Sequence, residues 1–144
     1  MIRVMLDSHI YDALDADVEM QISIASKVGL NSIEIIVSPT IIHEMSKSPF
    51  RGVPDFFPVV QVSEAVAICG HAIVGLCRIS EGMIYKAHLG KSKKARDAMI
   101  TETAEFDCGI FVSDDKRCRE RFKRVATNCK AMDFNDFKKW LSLS

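Results

Sequence analysis

Four short apolar runs decide what this chain can fold into: IRVML (residues 2–6), IEIIV (33–37), GIFVS (109–113) and CKAM (129–132). Runs of three to five such residues, bounded by turn formers, read as buried strands. The stretches between them carry helical signals. Tyr11 to about Val28 reads as one helix with acids near its start, and Gly29 holds the helix-stop position of GLNS. Ser38 as N-cap with Pro39 at the first helical position opens a helix that carries Glu44. From Ser63 to about Ile79, apolar residues recur at helical spacing. Residues 97–106 and 115–124 read as two further helices, and a last one begins at Asp133, with Asp136 in a capping-box-like position. PFRGVPDFFP, punctuated by three prolines and a glycine, is a loop, and residues 80–96 form an exposed connection.

Strands alternating with helices predict an α/β fold built on a largely parallel sheet. At 144 residues, with no repeat and no second core, the expectation is one domain over 1–144. Neither GxGxxG nor GxxxxGK[ST] occurs, so the sequence supports neither a dinucleotide site nor a P-loop.

Charge is balanced overall, with 19 basic and 19 acidic residues, which excludes a general polycation. It is unevenly spread, since ten of the 19 Lys and Arg fall in residues 91–124. Such asymmetry focuses an anionic ligand on one face, although solvated helix faces show the same pattern. The five cysteines are odd in number and include no CxxC, which points to free thiols in a reducing compartment. An acid arrives at Asp7, and no run approaches about 18 apolar residues, so a cytoplasmic protein with no membrane partner is expected.

In an open parallel sheet, ligands bind beyond the carboxyl ends of the strands. Asp7 ends the first strand, Glu44 lies on the helix after the second, and Asp97 stands at the start of the helix leading to GIFVS. Asp115 follows Ser113 at the end of that strand. Convergence of the four would be costly: two like charges ~4 Å apart repel by about 4 kcal/mol at an effective dielectric of 20. A hard divalent cation, Mg²⁺ or Mn²⁺, suits an all-oxygen set of this kind. The competing reading is that Asp7, Asp97 and Asp115 are helix N-caps, a role Asp fills for ordinary backbone reasons.

The pattern resembles the PIN domain family, and within it the small VapC-type toxins. The matching pieces are MLDSHIYDAL, SPTIIHEM, DAMITETAEFDCGIFVSDDKRCRERF and CKAMDFNDFKKWL, with Asp115 standing 18 positions after Asp97. The resemblance implies a PIN-like three-layer α/β/α sandwich and an Mg²⁺- or Mn²⁺-dependent endoribonuclease, often dimeric and held inactive by a VapB-type antitoxin. Asp7, Glu44, Asp97 and Asp115 would ligate the metal, with Ser113 orienting a ligand or water. The Lys and Arg of the basic segments, among them Lys93, Lys94, Lys116, Arg117 and Arg119, would hold the RNA backbone. Two departures stand out: His9 replaces the usual Asn, and Asp114 adjoins Asp115, which makes both candidates for a secondary role. Asp107 is a weaker rival for Asp97. The alternative function is a catalytically inactive PIN-like RNA-binding or protein-interaction module.

Overall fold

The structure, a computed structural model, describes residues 1–62, 100–101, 103–105 and 107–143. Among the described residues, five strands form one sheet: β1 (Ile2–Leu6), β2 (Ile33–Val37), β3 (Val60–Gln61), β4 (Ile110–Val112) and β5 (Lys130–Met132). Their spatial order is β3-β2-β1-β4-β5, and every pairing is parallel. Registers such as Met5 with Ile36, Leu6 with Val112 and Val112 with Met132 bring the strand ends level at one edge.

The helices are α1 (Ser8–Asp15), α2 (Val18–Gly29), α3 (Pro39–Ser46), α4 (Lys116–Val125) and α5 (Phe134–Leu143). The described residues between 100 and 107 are also helical. Helices cover both faces of the sheet, giving a three-layer α/β/α sandwich. Contacts of α1 with α2 and α3, and of α2 with β2 and α5, place these four in one layer. The right-handed rule for parallel crossovers assigns α4, which links β4 to β5, to the opposite layer.

Packing explains why the apolar runs are strands. Val4, Met5 and Leu6 of β1 and all of β4 are buried, as a sheet covered on both faces demands. On the α4 side, Phe111 and Phe122 are both fully buried, with ring centroids 5.4 Å apart. In α5, Phe137 and Leu141 are buried and Trp140 stacks on Phe137 at 6.0 Å, so this aromatic group serves packing.

Three expectations need correction. The helix read over Tyr11–Val28 is two helices, because Asp17 breaks it: its carboxylate accepts from the Met20 amide and caps α2. Gly29 is the last helical residue, and the left-handed position falls on Asn31 (φ 58°), a residue type that tolerates it. The loop after α3 leads into a fifth strand, Val60–Gln61, whose two exposed residues pair with Ile36 and Val37 of β2. The expected helix at 63–79 and the connection at 80–96 lie outside the described residues.

Candidate functional site at the carboxyl edge of the sheet

Strand order reverses between β1 and β4, so the crevice where such sheets bind ligands opens between Leu6 and Val112. Asp7 and Ser113 are the next residues on the two strands. The Asp7 amide donates to the Val112 carbonyl (2.9 Å), which carries the pairing one residue past β1. Asp7 is 6 % exposed and Ser113 fully buried. The Ser113 hydroxyl donates to Asp7 Oδ2 (3.0 Å) and accepts from the Asp115 amide (3.2 Å), while Asp7 Oδ1 accepts from the Ser8 amide (2.8 Å). Buried polar groups need such partners.

Glu44 reaches the same edge from α3. Its Oε2 accepts from the Ser8 hydroxyl at 2.6 Å. One hydrogen-bonded chain therefore runs Glu44–Ser8–Asp7–Ser113–Asp115 across β1, α1, α3 and β4. Three of the four acids singled out in the sequence share it, Asp7 and Glu44 through their carboxylates and Asp115 through its backbone amide. Asp97, with Lys93 and Lys94, lies outside the described residues. Asp107 belongs to the other end of the sheet, where its Oδ1 lies 3.8 Å from Arg3 Nη1.

The acids also serve as caps. Asp7 is the N-cap of α1, Asp115 accepts from the Cys118 amide (3.1 Å) at the start of α4, and Asp133 accepts from the Asp136 amide (2.7 Å) at the start of α5. Ser38 caps α3 by accepting from the Ile41 amide. Four helix N-termini thus point at one edge, and their partial positive charge offsets the carboxylates there. Charge balance at Asp7 and Asp115 consequently rests on backbone as well as on any bound cation.

His9 takes up the place where the PIN pattern has Asn. Its Nε2 accepts from the Asp114 amide (2.8 Å), which puts the imidazole proton on Nδ1, 3.5 Å from Asp7 Oδ2. Asp114 turns away from the crevice, and its Oδ1 accepts from the Phe134 amide of α5 (2.9 Å). Arg119 donates from Nη1 to the Ser113 carbonyl (2.7 Å), so its guanidinium clamps the β4–α4 junction. Lys116 and Arg117 are exposed on α4, as are Lys123 and Arg124, with one acid, Glu120, 4.0 Å from Lys116 Nζ. The buried residues Cys118 and Phe122 turn this basic arc outward.

An Mg²⁺ or Mn²⁺ ion needs several oxygen ligands converging on one point. Among the described residues, no group of three or more His, Cys, Asp or Glu side chains is placed to hold a metal ion. Ser8 links Asp7 and Glu44 through its amide and its hydroxyl, and the Ser113 hydroxyl joins the Asp7 carboxylate to the Asp115 amide. The described residues alone do not compose a divalent-cation site.

Two features near the site escaped the sequence reading. Ser8 bridges Asp7 and Glu44, and only the α1–α3 contact reveals it. Tyr11, fully buried on α1 against Phe57, has a hydroxyl with no hydrogen-bond partner among the described residues, and burial pushes its phenol far above the ordinary value. Cys108, Cys118 and Cys129 are buried, and burial pushes the Cys129 thiol up, away from reactivity.

The class of protein these observations define is a three-layer α/β/α sandwich with a parallel sheet and polar residues gathered at its switch point, a form consistent with a PIN-like superfamily fold. Comparisons with protein-family models, curated proteins and solved structures give no match. Among the described residues, no helix is long and apolar enough to cross a membrane.

Proposed function

We propose that this chain is a PIN-like RNA-binding module whose nucleic-acid face joins the crevice at Asp7 to the outer arc of α4. The observation that carries this reading is the exposed set Lys116, Arg117, Lys123 and Arg124 on the helix that starts at Asp115. Phosphates along this arc would position a strand without specifying its sequence. A labelled single-stranded RNA titrated by fluorescence anisotropy at several salt concentrations tests it. Replacing Lys116, Arg117 and Lys123 with Ser should reduce the slope of log K against log salt by about 2, at roughly 0.7 per lost phosphate contact. An unchanged slope would assign the arc to solvent or to a protein partner.

The hydrogen-bonded chain linking Glu44, Asp7, Ser113 and Asp115 favours a second reading. In it the protein is an Mg²⁺- or Mn²⁺-dependent endoribonuclease, the cytoplasmic toxin of a VapBC-type pair, with a VapB-type antitoxin and a second copy of itself as partners. That reading requires Asp97 to join the other acids. RNA cleavage stimulated by Mn²⁺ and abolished in both Asp7→Asn and Asp97→Asn would establish it. Binding with no metal-stimulated cleavage would leave the non-cleaving module.

A further inference from the structure

A shallow pocket of about 130 Å³ opens beside the crevice between α1 and α3, lined by Ser8, His9, Asp12, Glu44, Met45 and Ser48. Sites for drug-sized ligands run to about 300–1,000 Å³, so this one has room for a single sugar or base. Its hydrogen-bonding character is one-sided. Asp12 is exposed and makes no hydrogen bond or ion pair among the described residues. The Ser8 proton is committed to Glu44, which leaves that hydroxyl only lone pairs to offer. The Ser48 hydroxyl donates to the Met45 carbonyl (2.6 Å) and accepts from the Phe50 amide (3.2 Å), which makes it a fixed wall. Met45, 2 % exposed, supplies the apolar part of the lining. Apart from the His9 Nδ1 proton, which faces Asp7, the pocket therefore offers acceptors, and its carboxylates repel phosphate.

We infer that this pocket receives a ribose, with the Asp12 carboxylate accepting from its 2′-hydroxyl. Carboxylates recognise ribose hydroxyls in this way, and the 2′-hydroxyl is the group by which a protein tells RNA from DNA. The placement fits a strand whose phosphates lie over α4, because His9 in the pocket wall holds the Asp114 amide immediately before that helix. An internal nucleotide would donate its 2′-hydroxyl alone, and a 3′-terminal one both vicinal hydroxyls. The inference rests on the RNA-binding reading for its polymer context but is tested apart from it.

The probes are adenosine and 2′-deoxyadenosine, titrated into the full ¹⁵N-labelled chain and its Asp12→Ala variant by NMR. Adenosine should shift amide resonances at residues 8–12 and 44–48. The deoxynucleoside should bind roughly tenfold more weakly, as loss of one hydrogen bond to a charged group implies, and Asp12→Ala should erase the difference. Equal shifts by both nucleosides, or shifts elsewhere, overturn the inference, as does an undiminished preference in a folded Asp12→Ala protein. RNA and DNA oligomers of one sequence separate the two claims. If neither polymer binds while adenosine occupies the pocket, the RNA-binding reading fails and the pocket stands. If both polymers bind equally and Asp12→Ala changes neither, the pocket fails and the RNA-binding reading stands.

Discussion

The Ser113–Asp7 hydrogen bond gives the sharpest test of how the crevice is held together. Replacing Ser113 by Ala removes a fully buried hydroxyl that donates to one carboxylate and accepts one amide. Hydrogen bonds to charged groups contribute about 1.5–3 kcal/mol. The 3.0 Å separation is long for O–H···O⁻, which usually lies at about 2.5–2.7 Å, so the low end applies, about 1.5 kcal/mol. The Asp115 amide, accepted at 3.2 Å and partly buried, adds about 0.5–1 kcal/mol. Ser113→Ala should therefore destabilise the fold by about 2–2.5 kcal/mol, lowering Tm by about 4–10 °C for a chain of this size. A double-mutant cycle with Asp7→Ala, read by urea unfolding, isolates the pair and should return a coupling of about 1.5 kcal/mol. A coupling below about 0.5 kcal/mol, the level at which independent sites add, would refute the account of Ser113 as the support of the Asp7 carboxylate.

Three further outcomes follow from other contacts. Glu105 accepts from the amides of Thr127, Asn128 and Cys129 and from the Thr127 hydroxyl, all within 3.1 Å. Glu105→Ala should cost about 2 kcal/mol and speed amide exchange first at 127–129, whereas uniform exchange across the chain would deny the local role. Tyr11→Phe should raise stability by about 1 kcal/mol by removing a buried hydroxyl that has no partner among the described residues, and a loss would point to a bonding role. The folded Tyr11 pKa is raised, so the unfolded phenol releases its proton first. Stability should fall as pH rises past the ordinary value of 10, with Tyr11→Phe lacking this share of the alkaline loss. Asp17 runs the other way: the bond from Lys138 at 2.6 Å, with the Met20 amide, holds its carboxyl below the usual range. Its contribution is present above the unfolded carboxyl pKa and lost as pH falls through the lower folded value. Asp17→Asn should therefore flatten the acid limb of a stability–pH curve, and an unaltered limb would dismiss the pair.

The parts of the fold legible in the sequence are those written in local patterns. The four apolar runs are strands because a sheet buried on both faces needs side chains like those of Ile33, Ile35, Ile36 and Val37, all buried. Ser38-Pro39 marks its helix start because capping chemistry is confined to a few adjacent residues. Val60–Gln61 carries no such signal, since two exposed residues become a strand only when β2 is already beside them. The break at Asp17 was hidden because apolar residues on either side keep helical spacing, and one side chain bonding to the Met20 amide decides the matter. At the site, Asp7, Glu44, Ser113 and Asp115 could be singled out because they follow strands. What each side chain bonds to could not: the Ser8 bridge spans 36 residues and the His9–Asp114 bond 105.

The last helix begins where Asp114 accepts the Phe134 amide, and the Asp114 amide in turn hangs on His9. The tail of the molecule is thereby moored to the short segment that displays Ser113 and Asp115. Whatever pulls the final helix off the sheet must slacken that segment too, so a truncation far along the chain would be felt at Asp7.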